Sequence, residues 1–445
     1  MSSINQYIDL YLQHADLLNQ GSHPLINAHR AAALSGLQTH GLPSRKDERY
    51  KYTDIDKALA PDYGLNLQRL SIPFSTRYQC RVPGMRSRLY HVVDDTLAGG
   101  DILDTPQIFV GPLTLFAERY PEKFKKYYDS ESESGKSNAL ARLNTMLVQN
   151  GIVVFVAKGY KESDLLQFIN LSAGGVPMLT NRRQLIILES GAEATILACN
   201  HSGSQIDHLT NEVVEVWQEE GSKLQYYTID DTVASDSILN TTHIVQSAGS
   251  RLEYASITLS GGLARREVDI YLRGADASVQ ASGFVVGDGE QHVDNNLLVV
   301  HDAPACQSDV LYKYILDGQA VGAFAGKVYV SPGAEQTDSQ ETNANMCMSP
   351  EARMYTQPML EIYADDVKCN HGSTVGQFND NALFYMNQRG ISPEDGRKLL
   401  QQAFAWDVIE RIPLLPLRQR LMRMVESRFR LADSCNDCGI CISKV

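Results

Sequence analysis

The chain has 445 residues, enough for two or three domains or for one elongated core with helical additions. Its composition, 43% hydrophobic and 21% charged, is that of an ordinary globular protein. The net charge of -13 argues against general nucleic-acid binding, which requires a basic surface. Because no run of about 18 apolar residues occurs, the sequence predicts no membrane-spanning helix.

The first stretch, residues 1–148, is expected to be mostly helical, with apolar residues at helical spacing in residues 4–19 and 140–148. Residues 129–137 are polar and are expected to form a surface loop. The N-terminus lacks a basic end followed by an apolar block, so no signal peptide is predicted. Five cysteines are scattered singly, which favours reduced thiols in a cytoplasm over a secreted disulfide framework: Cys80, Cys199, Cys306, Cys347 and Cys369.

The central stretch, residues 149–378, is predicted to form a β-helix. Short β-rich runs are separated by turns whose glycines recur about every 25–30 residues. Such a repeat, with two strands per period and no intervening helix, is typical of a β-solenoid. A β-sandwich also contains many short strands, but not with this regular interval. The turn glycines are Gly191, Gly221, Gly249 and Gly274, with Gly333 about two periods further on.

Residues 379–432 return to a helical pattern. Ser392 is a suitable N-cap and Pro393 suits the first position of a helix. A second helix is expected after Pro413, with an apolar face and arginines distributed around it. Such a helix pair either caps the solenoid or provides a docking surface for another protein.

The most distinctive chemical motif is the tripeptide Cys-Asn-His at residues 369–371. In an extended strand Cys369 and His371 point to the same face, ~6–7 Å apart along the chain. A thiol and an imidazole on one face suit iron, zinc or copper, or a sulfur-handling site. Two ligands do not complete a metal site, so the others would come from elsewhere in the chain or from a partner. The alternative is a packing role, which is common for both residue types.

The C-terminal tail, residues 433–445, contains Cys435, Cys438 and Cys441 in a Cys-x-x-Cys-x-x-Cys arrangement. This spacing is common in zinc and iron–sulfur sites because a tight turn brings neighbouring thiolates to one ion. Three thiolates leave a fourth position open. The three cysteines are candidate metal ligands, and the alternative is a terminus with adventitious metal affinity.

Other patterns are given no functional role. Residues 322–327 resemble a phosphate loop only superficially, since the glycine spacing is one residue short and no Ser or Thr follows Lys327. The chain is therefore not expected to bind ATP. No dinucleotide fingerprint is present, but flavin can bind without one, so flavin binding is left open. The pair Arg265–Arg266 is interpreted as part of a solvent-exposed face, and His201 and His208 as structural residues near a turn.

Several of these segments together resemble a known family. Residues 312–377 carry most of the likeness, and they end in Ala-Asp-Asp-Val-Lys-Cys-Asn-His-Gly-Ser-Thr-Val-Gly-Gln at residues 364–377. Residues 48–53, Glu-Arg-Tyr-Lys-Tyr-Thr, resemble a segment near the family's N-terminus. In these motifs the chain is similar to the SufB/SufD family of iron–sulfur cluster assembly scaffolds. The Cys-x-His-Gly sequence after Asp-Asp-Val-Lys is more similar to SufD than to SufB.

The resemblance implies a right-handed parallel β-helix between N-terminal and C-terminal helical regions. It also implies a cytoplasmic complex in which a SufB-like subunit pairs with the β-helix and a SufC-like ABC ATPase docks on the C-terminal helices. The chain would then be a scaffold and not an enzyme, because ATP hydrolysis belongs to the ATPase. A nascent iron–sulfur cluster would form transiently at the SufB-like interface, with His371 and Cys369 as interface residues. Homodimer formation without the partner is left open.

Two other functions remain open from the residues alone. A β-helix can carry a polysaccharide-active enzyme, although no acidic or basic catalytic cluster is evident on repeated strand positions. The cysteine-rich tail can also belong to a stand-alone metal or electron-transfer protein.

Overall fold

A computed structural model describes residues 2–74, 80–130, 138–377 and 380–429. The predicted, mainly β architecture is confirmed, because a parallel β-solenoid of about 8 turns lies between N-terminal and C-terminal helices. Each turn contributes one strand to each of two sheets, as the repeat predicts. The cysteine-rich tail with Cys435, Cys438 and Cys441 lies outside the described residues, so its metal site stays a prediction.

The two sheets contain ten strands each in the described chain, and hydrogen-bonded neighbours follow one another in the order below. Sheet 1 contains β2 (Thr96–Gly99), β1 (Ser87–Val93), β6 (Leu165–Ser172), β8 (Glu193–Ser202), β10 (Lys223–Asp231), β12 (Arg251–Ser260), β14 (Ser278–Gly287), β16 (Gln307–Leu316), β18 (Thr337–Cys347) and β20 (Val367–Gly376). Sheet 2 contains β3 (Leu103–Asp104), β4 (Ile108–Pro112), β5 (Ile152–Val156), β7 (Met178–Leu188), β9 (His208–Gln218), β11 (Asp236–Gln246), β13 (Leu263–Leu272), β15 (His292–His301), β17 (Val321–Val330) and β19 (Arg353–Ile362).

The helices lie at the two ends of the chain. They are α1 (Ile4–Gln20), α2 (Pro24–Asn27), α3 (Arg30–His40), α4 (Ile55–Leu59), α5 (Leu113–Arg119), α6 (Pro121–Tyr127), α7 (Ala139–Leu147), α8 (Asp380–Gln388), α9 (Pro393–Ile409) and α10 (Leu415–Phe429), with a 3-10 turn at Glu48–Tyr50. The stretch expected to be mostly helical thus also contributes strands β1 to β4. The predicted N-cap is confirmed, since the Ser392 hydroxyl accepts a hydrogen bond from the Asp395 amide at 3.0 Å. Among the described residues, no helix combines the length and apolar character needed to cross a membrane.

The turns of the solenoid require glycine for two different reasons. Gly191, Gly221 and Gly249 have φ angles of 69°, 65° and 63°, in the left-handed region where glycine carries no Cβ penalty. Gly274 is needed for space, because a Cβ there would collide with the backbone of Ala248. These turns keep neighbouring strands in parallel register, so equivalent residues stack from turn to turn.

The interpretation of Arg265 and Arg266 as a solvent-exposed pair is wrong, because both side chains are buried. Consecutive residues of a strand point to opposite faces. Arg266 shares the inner face of β13 with apolar core residues and pairs with Asp230 inside the solenoid. Arg265 points outward, where its guanidinium donates to Asp294 at 2.6 Å beneath the N-terminal region.

Residues 48–53 fasten the N-terminal region to the outside of sheet 2. The Arg49 guanidinium pairs with Asp269 at 2.6 Å, and the Thr53 hydroxyl donates to Asp294 at 2.5 Å. The family-like segment found in the sequence is therefore a structural anchor, since Arg49 neutralises the buried Asp269 carboxylate of β13 and Thr53 hydrogen-bonds to the buried Asp294 carboxylate of β15.

The same segment continues to the last turn of the solenoid. The Gln357 amide on β19 donates to the Glu48 carboxylate at 3.0 Å. The rings of Tyr52 and Tyr355 stack with a centroid distance of 4.6 Å. One short segment thus contacts strands β13, β15 and β19.

The expected surface loop at residues 129–137 is wrong at its first residue. Asp129 is buried and pairs with Arg183 at 3.0 Å. Residues 131–137 lie outside the described residues. Arg183 also pairs with Glu215 at 2.7 Å. Asp129, Arg183 and Glu215 therefore form a buried ionic cluster between the N-terminal helices and sheet 2.

Replacing Arg266 should strongly destabilise the solenoid. Arg266→Met leaves the Asp230 carboxylate buried without its cation, which we expect to cost about 3–5 kcal/mol of unfolding free energy. Denaturation by urea measures this loss. Arg251→Met, at an exposed arginine that begins β12, should change stability by less than about 0.5 kcal/mol. Equal effects of the two substitutions would contradict the proposed importance of the buried pair.

Candidate functional site

The Cys369–His371 motif lies in β20, the edge strand of sheet 1. Cys369 is in register with Ser339 of β18, and His371 is in register with Glu341. His371 therefore ends a row of inward-facing residues that runs from β8 to β20 and also contains Ile196, Tyr226, Tyr254, Ala281, Val310 and Glu341. No strand of the described chain stacks on β20, so this row opens to solvent at His371.

Both residues of the motif face the interior of the last turn, as the alternation predicts. Ser373, two residues beyond His371, hydrogen-bonds to Thr356 on the opposite strand β19 at 2.7 Å. Cys369 contacts an apolar cluster that includes Val328 and Leu360. His371 is exposed. Strand β20 thus places the His371 imidazole at the open end of the solenoid, called its mouth below, and the Cys369 thiol against the inner wall.

Burial controls the state of the Cys369 sulfur. Partial burial, followed by the nearby Asp338 carboxylate, raises the pKa of this thiol above its usual value. The sulfur is therefore protonated at neutral pH in the isolated chain. A metal ion or a positive group from a partner would be needed to convert it to a thiolate.

Glu341 is a site residue that the sequence does not reveal. Its side chain is buried next to Gly326, where a Cβ would collide with the carboxyl group. The Oε1 atom has no hydrogen-bond partner among the described residues. Burial raises the pKa of this carboxyl to about 7. The Glu341 carboxyl group therefore exchanges a proton near neutral pH, and it lies on β18, the strand next to the one that carries His371.

The open end of the solenoid also exposes apolar side chains. Strands β19 and β20 are both edge strands, and unpaired edges offer backbone groups to another strand. Four large apolar side chains of this end are exposed: Tyr355, Ile362, Tyr363 and Val375. An exposed apolar patch at an open sheet edge is typical of a protein interface.

A second apolar surface lies on the C-terminal helices. Helix α9 packs against β14 and β16, where Lys313 pairs with Asp407. The outer side of α8 and α9 exposes Phe384, Tyr385, Leu399 and Trp406. The helices therefore cover one side of the solenoid and still expose apolar side chains to solvent. This arrangement agrees with a docking surface as well as with a cap.

The structure also brings together a second group of cysteine and histidine residues. Cys199 and His201 lie two residues apart in β8, and Cys80 contacts them from a distant segment. The tripeptide Cys-Asn-His occurs in both β8 and β20, and this repetition is the signal that could have identified the group. The first copy faces outward from the solenoid, beneath α10, whereas the second faces inward.

Residues 322–327 belong to strand β17 and do not form a loop before a helix. The glycines of this segment serve the packing of the solenoid. Gly322 lies against Leu316 and Met354, and Gly326 lies against Glu341, with no room for a Cβ in either place.

Comparisons with known proteins agree with this architecture. A family model described as SUF system FeS cluster assembly, SufBD core domain, matches residues 169–404. A second model, the SufBD protein N-terminal region, matches residues 1–168. Together they cover the N-terminal region, the solenoid and most of α9.

Similar relatives cover most of the chain. An iron–sulfur cluster assembly SufBD family protein of Synechocystis is 26% identical over 418 residues, which are 91% of each chain. SufD of Escherichia coli is 25% identical over 401 residues, 89% of this chain and 91% of the relative. SufD of Bacillus subtilis is 23% identical over 332 residues, 74% and 76% of the two chains. Because the core-domain model alone matches more than half of its residues, the chain belongs to the SufBD family of iron–sulfur cluster assembly proteins.

Proposed function

We propose that this chain is a SufD-like scaffold subunit that pairs with a SufB-like subunit through the open end of its solenoid. The exposed imidazole of His371 at an unpaired, apolar sheet edge is the observation that supports the proposal most directly. A second solenoid can cover the exposed apolar side chains and pair with β19 or β20. A cytoplasmic location is part of the same proposal, as is homodimer formation when the partner is absent.

The cargo of this interface is a nascent iron–sulfur cluster. Cys369 and His371 provide at most two ligands, which is too few to hold a cluster permanently. We expect the SufB-like subunit to provide the remaining ligands. A ligand set divided between two subunits releases its cargo when the subunits move apart, which a closed four-thiolate site cannot do.

Glu341 gives the interface a means of handling protons. Sulfide and thiol ligands lose protons when they bind iron, so cluster formation releases protons. A carboxyl group with a pKa of about 7, in register with His371, can accept a proton at the pH of a cell. Bringing a cation to the mouth of the solenoid would lower this pKa and favour the charged carboxylate.

The C-terminal helices are the proposed docking surface for a SufC-like ABC ATPase. The exposed side chains of Phe384, Leu399 and Trp406 support this assignment. ATP would bind to that partner and not to this chain, which acts as a scaffold. Family membership favours this function over a polysaccharide-active enzyme or a protein centred on the cysteine-rich tail.

Substitutions at the two apolar surfaces should each weaken the binding of only one of the two partners. In co-expression with a SufB-like protein and an ABC ATPase, Val375→Lys should reduce recovery of the SufB-like chain about 10-fold or more and retain the ATPase. Phe384→Lys should have the opposite effect, because each lysine places an unpaired charge in only one interface. Affinity purification with quantitative mass spectrometry measures both recoveries. Recovery of both partners with both variants would argue against these surfaces.

Removing the His371 imidazole should impair cluster formation without unfolding the chain. We expect His371→Ala to lower iron and sulfide in the reconstituted complex about 10-fold or more, because a ligand or proton acceptor is lost. Asn370→Ala, at an exposed position on the opposite face of β20, is the matched control and should retain cluster formation. Unfolding of His371→Ala would favour a packing role instead. Loss of clusters on deletion of residues 433–445, with His371 intact, would favour the tail.

Replacing Glu341 should remove one component of the pH dependence of stability. The folded chain keeps a proton on Glu341 up to a pH of about 7, whereas the unfolded chain releases it near 4.5. The wild type therefore loses stability as pH rises through this window, and Glu341→Gln does not. The difference should reach about 3 kcal/mol above pH 7. Urea denaturation of both proteins at pH 5 and pH 8 checks this, with exposed Glu351→Gln as the control. Parallel pH profiles would contradict the raised pKa.

A further inference from the structure

A compact group of soft ligands lies far from the mouth of the solenoid. The ligand atoms of Cys80, Cys199 and His201 all lie within 4.8 Å of one another. Within the described ranges, no other group of three or more His, Cys, Asp or Glu residues has this geometry. All three side chains are buried. Six strand spacings in sheet 1, about 29 Å, separate β8 from the strand that carries His371.

The fold constructs this group from three parts of the chain. Cys199 and His201 share one face of β8 because they are two residues apart in a strand, and Cys199 lies in the outer cluster with residues of α10. Cys80 reaches them from the segment that precedes β1. Helix α10 covers the group, and its residue Arg420 is buried at this point.

N–H donors of neighbouring side chains contact both sulfurs. The Arg420 guanidinium donates a hydrogen bond to the Cys80 sulfur at 2.9 Å. The Gln167 amide lies 3.9 Å from the Cys199 sulfur and also donates to the Cys80 carbonyl oxygen. Such N–H donors around sulfur orient and stabilise the thiolates of a metal site.

We propose that Cys80, Cys199 and His201 bind one thiophilic divalent cation such as Zn²⁺. In a tetrahedral site, metal–sulfur distances of about 2.3 Å and metal–nitrogen distances of about 2.0 Å place the ligand atoms roughly 3.4–3.8 Å apart. The observed separations require only small side-chain movements to reach this geometry. Three protein ligands leave a fourth position for solvent or an exogenous ligand.

The charges of the site balance when a divalent cation is present. Two thiolates neutralise the cation, and a neutral imidazole adds no charge. Arg420 contributes one positive charge, and Asp231, which is in register with His201, contributes one negative charge. The cation would join β8 to the segment at Cys80, which Arg420 of α10 contacts through its hydrogen bond to the Cys80 sulfur. This inference does not depend on the proposed assembly function.

Cobalt binding tests the proposal in the full-length chain. Cys435, Cys438 and Cys441 are first replaced by serine, so that the tail cannot bind the probe. The chain is purified without oxygen, reduced and stripped of metal, and is then titrated with Co²⁺. We expect one Co²⁺ per chain with sulfur-to-cobalt charge-transfer absorption, which Zn²⁺ abolishes by displacement.

Single substitutions then identify the ligands. Cys80→Ser and Cys199→Ser should each remove the charge-transfer band, and Arg420→Gln should weaken Co²⁺ binding about 10-fold. Cys306→Ser, at a buried cysteine outside the group, should retain full binding. Circular dichroism checks folding, and His201→Gln replaces any cysteine variant that does not fold, with loss of the tetrahedral cobalt spectrum as its expected result.

Three results would overturn the proposal. The first is the absence of Co²⁺ binding in the tail-substituted chain, and the second is unchanged binding by Cys199→Ser. The third is a Cys80–Cys199 disulfide in the purified chain whose reduction does not restore Co²⁺ uptake, because the two sulfurs would then form a redox pair.

Discussion

Parallel, in-register stacking of strands is the constraint on which the rest of this structure depends. Each side chain lies above its equivalent in the neighbouring turn, so a polar residue in the interior needs partners on the strands beside it. The row that joins Asn200, Asp230 and Thr258 by hydrogen bonds satisfies this requirement, and Arg266 completes it with a buried charge. A stack of this kind has no intrinsic end. The last turn therefore exposes groups that any earlier turn would bury, and the exposure of His371 follows from its place in the stack.

The two cysteine–histidine pairs show how one local sequence acquires two environments. The strand spacing puts Cys and His on one face in β8 and in β20, but the face differs between the two strands. In β8 the pair is covered by a helix and surrounded by N–H donors, which suits a cation that stays in place. In β20 the imidazole is open to solvent at a sheet edge, which suits cargo that is passed on. Burial therefore distinguishes the two pairs, although they consist of the same side chains.

Much of the fold could be predicted from the sequence because its signals are local. The turn glycines, the alternation of strands and the N-cap at Ser392 each depend on a few neighbouring residues. The burial of Arg265 could not be predicted, since it depends on Arg49 and its neighbours more than 200 residues away. The candidate site divides in the same way. Alternation places Cys369 and His371 on one face, whereas the carboxyl group of Glu341 becomes relevant only through the register between two strands.

The anchor formed by residues 48–53 also affects the mechanics of the solenoid. It connects β13 and β15 to Tyr355 on β19, parallel to the direction in which the turns stack. A tensile load on the last turn is therefore shared by this tie and by the strand hydrogen bonds of sheet 2. Strand β20 is held through its ladder to β18, through the Ser373–Thr356 contact and through the apolar cluster that contains Cys369 and Leu360. The tie reaches the β19 edge through Tyr355 and Gln357, so the two edges of the last turn are held by different contacts, and we expect a force that separates the ends to deform the edge that carries His371 first.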